Sequence, residues 1–451
     1  MRPFRLLSGP AVLLACLGLI GCGSDGDALP RQDAAPDVSL SEPTLDSGSP
    51  ATEADADLDA SEVASPDGAS EAGVPPAAIR GMVAVHSDYL STAISLLDRD
   101  GNLVKDGCIN SGTGGGGLAM TLSGDVVLPS QLSRTSAVTL IDRGNGTLTW
   151  IDPVTCAASR QLAVSTGFKA IPHDYVEITT SKAYVTRYEQ NAAATPALGD
   201  FDEGNDLLIV DPTQPKIVGR IDLVPFTPAG VLPRADRAML VDGRVFVSLN
   251  ASNAKYGSNA TGRLVIVDPA LDRVIGTVDL PGTKNCGAMA YLPASQKLLV
   301  ACSGDYGDAN QAAASAIVAL NVGVTPPVVV GQVFASAVGV LAFSNSTVAA
   351  LDGNSVLGVS MGDFSNTPPD SLWLLPQDGA TPGRVFDSAE SYAMGSVLVD
   401  VERGRVFLAD GTTVAAPSVR AFDRGAGGLQ ATATIKTNPT QKLPARALAW
   451  F

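Results

Sequence analysis

From about residue 78 the chain is built of short apolar runs separated by turn residues, and no helical period is convincing. One stretch shows the pattern plainly. Ala238-Met239-Leu240-Val241 is followed by Asp242-Gly243, then by Arg244-Val245-Phe246-Val247-Ser248-Leu249. A long polar loop leads to Leu264-Val265-Ile266-Val267-Asp268-Pro269, and Arg273-Val274-Ile275-Gly276-Thr277-Val278-Asp279-Leu280 closes the unit. Runs of this length and composition, bounded by Asp, Gly and Pro, predict four strands, A to D.

The unit recurs. In the preceding copy Tyr184-Val185-Thr186 serves as B, Leu207-Leu208-Ile209-Val210-Asp211-Pro212 as C and Ile217 to Leu223 as D. Further B strands are expected at 125–128, 297–300, 346–350 and 405–408, and further C strands at 148–153 and 316–320. The Asp-Pro corner has a mechanism: Asp bonds its own backbone into a turn, and Pro presets φ for the next residue. Four-stranded units of about fifty residues are the blades of a β-propeller, an all-β fold. Seven units start near residues 81, 115, 168, 233, 284, 337 and 391. Six or eight stay open, because the second and sixth are irregular. The first unit lacks an A strand, while Leu443 to Phe451 forms an orphan that resembles the A strand beginning Leu232-Pro233-Arg234-Ala235. It is expected to close the ring against Gly81-Met82-Val83-Ala84-Val85, which removes exposed strand edges.

The apolar-apolar-Asp-Pro corners and the Val274 to Leu280 run resemble the YVTN-type β-propeller repeats of bacterial and archaeal cell-surface proteins. The string itself is missing; Ala183-Tyr184-Val185-Thr186-Arg187 comes nearest. The resemblance implies a fold and a cell-envelope setting, but no single activity.

The N-terminus changes the picture. Arg2 and Arg5 precede an apolar run, Ala11 to Ile20, too short for a permanent membrane helix but suited to a signal peptide over residues 1–21. Leu19-Ile20-Gly21-Cys22 resembles the lipobox of bacterial lipoproteins, which implies lipidation of Cys22 after cleavage before it. Gly23 follows where Asp would resemble an inner-membrane retention signal, so an outer-membrane anchor is expected, on either face. An ordinary signal peptide is the plainer alternative. Residues 22–77 then form an acidic tether of Ala, Ser, Asp, Glu, Pro and Gly without an aromatic residue, too poor in apolar surface to offset the entropy of ordering it. From position 23 it holds thirteen acids and one base, Arg31, a net −12 of the chain's −16. An acidic tail that captures cations is the alternative reading of this segment. A flexible chain of this length spans roughly 40 Å. The propeller is assigned residues 78–451.

Four cysteines remain beyond Cys16 and Cys22. Cys286 and Cys302 fall nearly opposite one another on the A and B strands around Pro293-Ala294-Ser295-Gln296, which predicts a disulfide in an oxidising envelope. Cys108 and Cys156 would pair by elimination; buried free thiols are the alternative. Neither spacing is that of a redox or zinc motif.

Propeller topology places the B–C and D–A connections on one face. The B–C loops are expected to be long, at about 189–205, 250–262, 303–314 and 352–370. They and their edges carry Tyr188, Phe201, Tyr256, Tyr306 and Phe364 among Asn, Asp, Gly and Ser, a composition suited to protein or glycan contact. Unselected drift in loop length is the plain alternative. The D–A connections would bring His173, Asp174, Arg234, Arg237, Lys284, Glu390 and Arg446 toward the channel mouth. There they could hold an anion, run acid–base chemistry, or merely satisfy one another.

With only His86 and His173, a histidine-rich metal centre is not expected, and no cofactor is. Ser303 to Asn310 could offer oxygens to calcium, though without EF-hand spacing. No nucleophile elbow, P-loop or dinucleotide fingerprint occurs; Gly114 to Gly117 precedes no helix. The acidic balance argues against nucleic acid. The leading expectation is a monomeric, non-enzymatic envelope scaffold that binds a protein or polysaccharide. The rivals are a lyase or hydrolase working at the channel mouth, and an outer-membrane assembly factor.

Overall fold

In the computed structural model the described residues are 78–451, apart from 116, 196–200, 258–259, 378, 413–417 and 426–427. The expected signal peptide, Cys22 and the tether lie outside them. Among the described residues the apolar runs become seven four-stranded antiparallel sheets, with successive innermost strands packed in a closed ring.

The first blade holds β1 (Gly81–Ser87), β2 (Thr92–Asp98) and β3 (Leu103–Asn110), and takes its innermost strand from the C-terminus, β28 (Ala445–Trp450). Met82 pairs with Trp450 and Val85 with Ala447, as the orphan run predicts. The other innermost strands are β4 (Val126–Val127), β8 (Pro172–Thr179), β12 (Ala235–Val241), β16 (Cys286–Leu292), β20 (Ala342–Ala350) and β24 (Met394–Asp400). Blade count and closure thus match the sequence reading.

Two strands were expected one place too far out. Residues 125–128 contain the inner strand β4, not a B strand; B is β5 (Val138–Asp142). Residues 346–350 are the second half of the inner strand β20, and B is β21 (Ser355–Met361). The cause is the same in both. A polar stretch, Ser130 to Ser136 in one blade and Ser344 to Thr347 in the other, breaks the apolar period that marks a strand. In consequence the expected loop 352–370 is a short A–B turn, strand β21 and a true B–C loop over 362–370.

The A to C strands bury both faces, because their two sides meet different blades, while the outer D strands, such as the run 428–435, stay largely exposed. Leu298 and Val300 pack toward the fourth blade, while Leu299 and Ala301 pack toward the sixth. Seven apolar clusters result among the described residues, one at each blade interface. The Asp-Pro corners work as expected: Asp152, Asp211 and Asp268 each accept from backbone N–H groups two or three residues on. Asp242-Gly243 turns with positive φ at both residues (48° and 76°), the geometry that suits a two-residue hairpin.

Cys286 faces Cys302 across β16 and β17 (Lys297–Ser303), and the two are disulfide-bonded with Cα atoms 3.9 Å apart. Cys108 in β3 is bonded to Cys156 in the second blade's C–D turn. At the closure, Arg99 reaches across to the buried Asp400 (2.6 and 2.8 Å), and His86 in β1 meets Thr437. The polar A–B loop of the second blade crosses the far end of the channel. There Gln131 both donates to and accepts from the backbone of Leu240 in the fourth blade.

Candidate functional site

B–C and D–A connections share one face, laced by backbone bonds: Glu189 to Ala170, Ala251 to Pro233, Gly304 to Lys284 and Gly411 to Ala393. A cleft of about 260 Å³ opens on this face among blades two to six. Tyr188, Tyr256 and Tyr306 line it with His173, Asp236, Arg237 and Arg143, and the amides Asn250, Asn285 and Asn345 fill the intervals. Beneath lies the axial channel, about 300 Å³, which shares Arg143, Arg237 and Ser346 with the cleft and also exposes Arg446.

The inner strands bend to make this possible. Register shifts fall at their entrances, between Pro172 and Asp174, Ala235 and Ala238, Cys286 and Met289, Phe343 and Val348, and Met394 and Val397. A bulge re-aims side chains that strict alternation would send to opposite faces. Hence Asp236 and Arg237, neighbours in sequence, both reach the cleft. Gly287 is the counterpart: a β-carbon there would lie 2.7 Å from the Asp236 carboxylate and 2.4 Å from the Asn345 carbonyl oxygen.

His173 Nδ1 donates to Asp236 Oδ1 at 2.9 Å, and its ring stacks on Tyr188, centroids 4.3 Å apart. Burial lowers the His173 pKa, the Asp236 contact opposes that, and the charges of Arg143 and Arg237 lower it further. Burial pushes Asp236 upward, yet the His173 hydrogen bond and nearby positive charge bring it below its usual value. The pair is an imidazole oriented by a carboxylate. Asn250 donates a second bond to Asp236, at 3.2 Å.

Other expected channel-mouth residues do different work. Asp174 is fully buried and accepts from Ser130 and from the Ala238 amide, tying three blades together; burial pushes its carboxyl up. Arg234 is buried, donates to Glu189 (2.8 Å) and lies 3.8 Å beneath the Tyr256 ring, so it supports the cleft wall from behind. Lys284 pairs with Asp305 at 2.6 Å, outside the cleft and channel linings. Glu390 is half-buried and also lies outside both. Arg446 lines the channel and donates to the carbonyls of Ser87 and Tyr392.

Of the loop aromatics, Tyr188, Tyr256 and Tyr306 converge on the cleft. Phe364 stands 91 % exposed against Tyr392, centroids 4.9 Å apart, away from it. Phe201 packs inward on the second and third blades, and its carbonyl accepts from the buried Arg187 that pairs with Asp206. In the loop considered for calcium, Asp305 is committed to Lys284 and Asp308 to the Asn310 amide. The described residues contain no group of three or more His, Cys, Asp or Glu side chains placed to hold a metal.

Sequence reasoning missed Arg143, Asp236 and the three asparagines. Arg143 follows β5 in the second blade's B–C turn, so the misplaced B strand concealed it. Asp236 was hidden by its bulge.

No protein-family model and no curated protein matches the sequence. Solved structures do match the fold. One from Bacteroides uniformis, titled a "putative 6-phosphogluconolactonase", superposes with a TM-score of 0.54 at 9% identity, over 82% of this chain and 99% of that one. A second with that title, from Bacteroides fragilis, gives 0.52 at 8%, over 82% and 97%. A Lactobacillus plantarum protein gives 0.51 at 10%, over 83% and 100%. The likeness is one of fold alone. Among the described residues no helix is long and apolar enough to cross a membrane.

Proposed function

We propose that this propeller is a binding scaffold of the cell envelope, non-enzymatic, whose B–C/D–A face captures a glycan. One observation carries the reading. All five exposed aromatic side chains among the described residues, Tyr89, Tyr256, Tyr306, Phe364 and Tyr392, stand on B–C or D–A connections. The exposed large residues on the A–B and C–D side, such as Val154, Leu271, Val324 and Val401, are aliphatic. Aromatic rings offer flat apolar area with little entropy to lose, and Tyr adds a hydroxyl. A narrow concave cleft with amides between tyrosines suits a ring-sized polar ligand better than a flat protein surface. The lipobox-like Leu19 to Cys22 and the YVTN-like repeats support the envelope setting. An immobilised glycan panel probed with residues 78–451 tests the reading. Capture is expected, and Tyr256→Ala and Tyr306→Ala should each weaken it roughly tenfold while the melting temperature holds. Capture of an envelope protein instead, with no glycan held, would replace glycan by protein.

A second reading rests on the oriented His173–Asp236 pair beside Arg237, which has the form of a general base with a cationic neighbour. It assigns the cleft to a hydrolase or lyase and requires turnover that disappears in His173→Ala. The two Bacteroides propellers named as putative 6-phosphogluconolactonases give that reading a direction for substrate screening.

A further inference from the structure

We infer that the ligand carries carboxylates, an acidic glycan whose uronic-acid group is seated between Arg143 and Arg237 at the head of the channel. This rests on the glycan-binding reading and narrows it. The channel lining exposes three guanidinium groups, Arg143, Arg237 and Arg446, against one carboxylate, Asp125. Asp125 is spent on Arg143, taking bonds from its Nε and Nη2 through a single oxygen. In the cleft the one carboxylate is Asp236, already held by His173 and Asn250 and 3.7 Å from Arg237 Nε. Among the described residues the Arg237 guanidinium otherwise donates to the His173 carbonyl, at 3.2 Å. Arg446 has no acid within ion-pair reach among the described residues; its bonds go to the carbonyls of Ser87 and Tyr392.

The floor of the site is thus cationic inside a protein that is acidic as a whole. The cations are arginines, whose planar fork suits a carboxylate. The second blade's A–B loop crosses the far end of the channel, so an entering group meets the arginines from the aromatic side. Sugar rings would lie against Tyr188, Tyr256 and Tyr306 while the acid reaches down. Arg143 and Arg237, common to both cavities, stand at that junction.

Calorimetry of the full chain with trigalacturonic acid, its methyl ester and a sulfated neutral trisaccharide tests the inference. The acid is expected to bind, and esterification to weaken it roughly tenfold or more. Arg143→Gln and Arg237→Gln should each impose a similar loss on the acid and little on the ester. Arg237→Lys should recover part of it, which separates lost charge from lost folding. Tyr256→Ala should weaken acid and ester alike. Equal binding of acid and ester overturns the acidic-ligand inference and leaves glycan binding standing. So does binding of the sulfated sugar without the acid, or acid binding that neither glutamine variant alters. No binding of any of the three overturns the inference, and with a blank glycan panel it overturns the broader reading as well.

Discussion

Several buried carboxylates act as rivets between blades. Asp370 accepts from four backbone amides, those of Gly362, Tyr392, Ala393 and Met394, and so joins the sixth blade's B–C loop to the seventh blade's inner strand. Asp370→Ala would orphan four donors, three of them buried, and should cost about 3 kcal/mol in urea unfolding; Asp363→Ala, whose bonds stay within its own open loop, should cost far less. His86 makes a different demand. Its Nδ1 donates to the Ala93 carbonyl and its Nε2 accepts from Thr437, and burial lowers its pKa to about 4 against the opposing pull of that carbonyl and Asp106. Below its ordinary value of 6.5 the unfolded chain takes up a proton that the folded chain refuses. Stability should therefore fall as pH drops from 6.5 toward 4, by about 3 kcal/mol from this group, and level off below. His86→Gln should remove this group's share of the slope, leaving the balance between His173, lowered in the same direction, and Asp174, raised so that it opposes the fall.

At the scale of strands and turns, the two disulfides tie different spans. Cys108–Cys156 closes 48 residues and links two blades; Cys286–Cys302 closes 16 within one hairpin. Chain entropy predicts that removing the longer link costs about 1 kcal/mol more, which Cys→Ser pairs in thermal unfolding would reveal. Strand placement was legible wherever an apolar run ended on Asp-Pro or Asp-Gly, as at Asp211 and Asp242, because the turn chemistry is local. It failed at Ser130 to Ser136 and Ser344 to Thr347, where polar residues serve a partner in another blade. Gln131 is read correctly only once Leu240 is known to lie opposite. The cleft was legible in the same partial way. Tyr188, Tyr256, Tyr306, His173 and Arg237 could be picked out from topology, since the loops that carry them must share a face. Asp236 and Arg143 could not, because a bulge and a shifted strand assignment put them there.

For the molecule as a whole, stability depends on closing the ring. Deleting β28 would leave β1 paired only with β2 and uncover the cluster of Met82, Ala84, Leu97 and Phe407. A chain ending at Lys442 is expected to aggregate or to melt well below the intact protein, with a broader unfolding transition. Adding residues 443–451 as a separate peptide should restore part of the lost stability. A cooperative melt unchanged by the truncation would show that the other six interfaces suffice.

That same strand also orders events in time. Synthesis runs from N- to C-terminus, so the strand that completes the first blade is made after every other strand of the ring. Until it emerges, every earlier blade belongs to an open arc with a bare strand edge at its beginning.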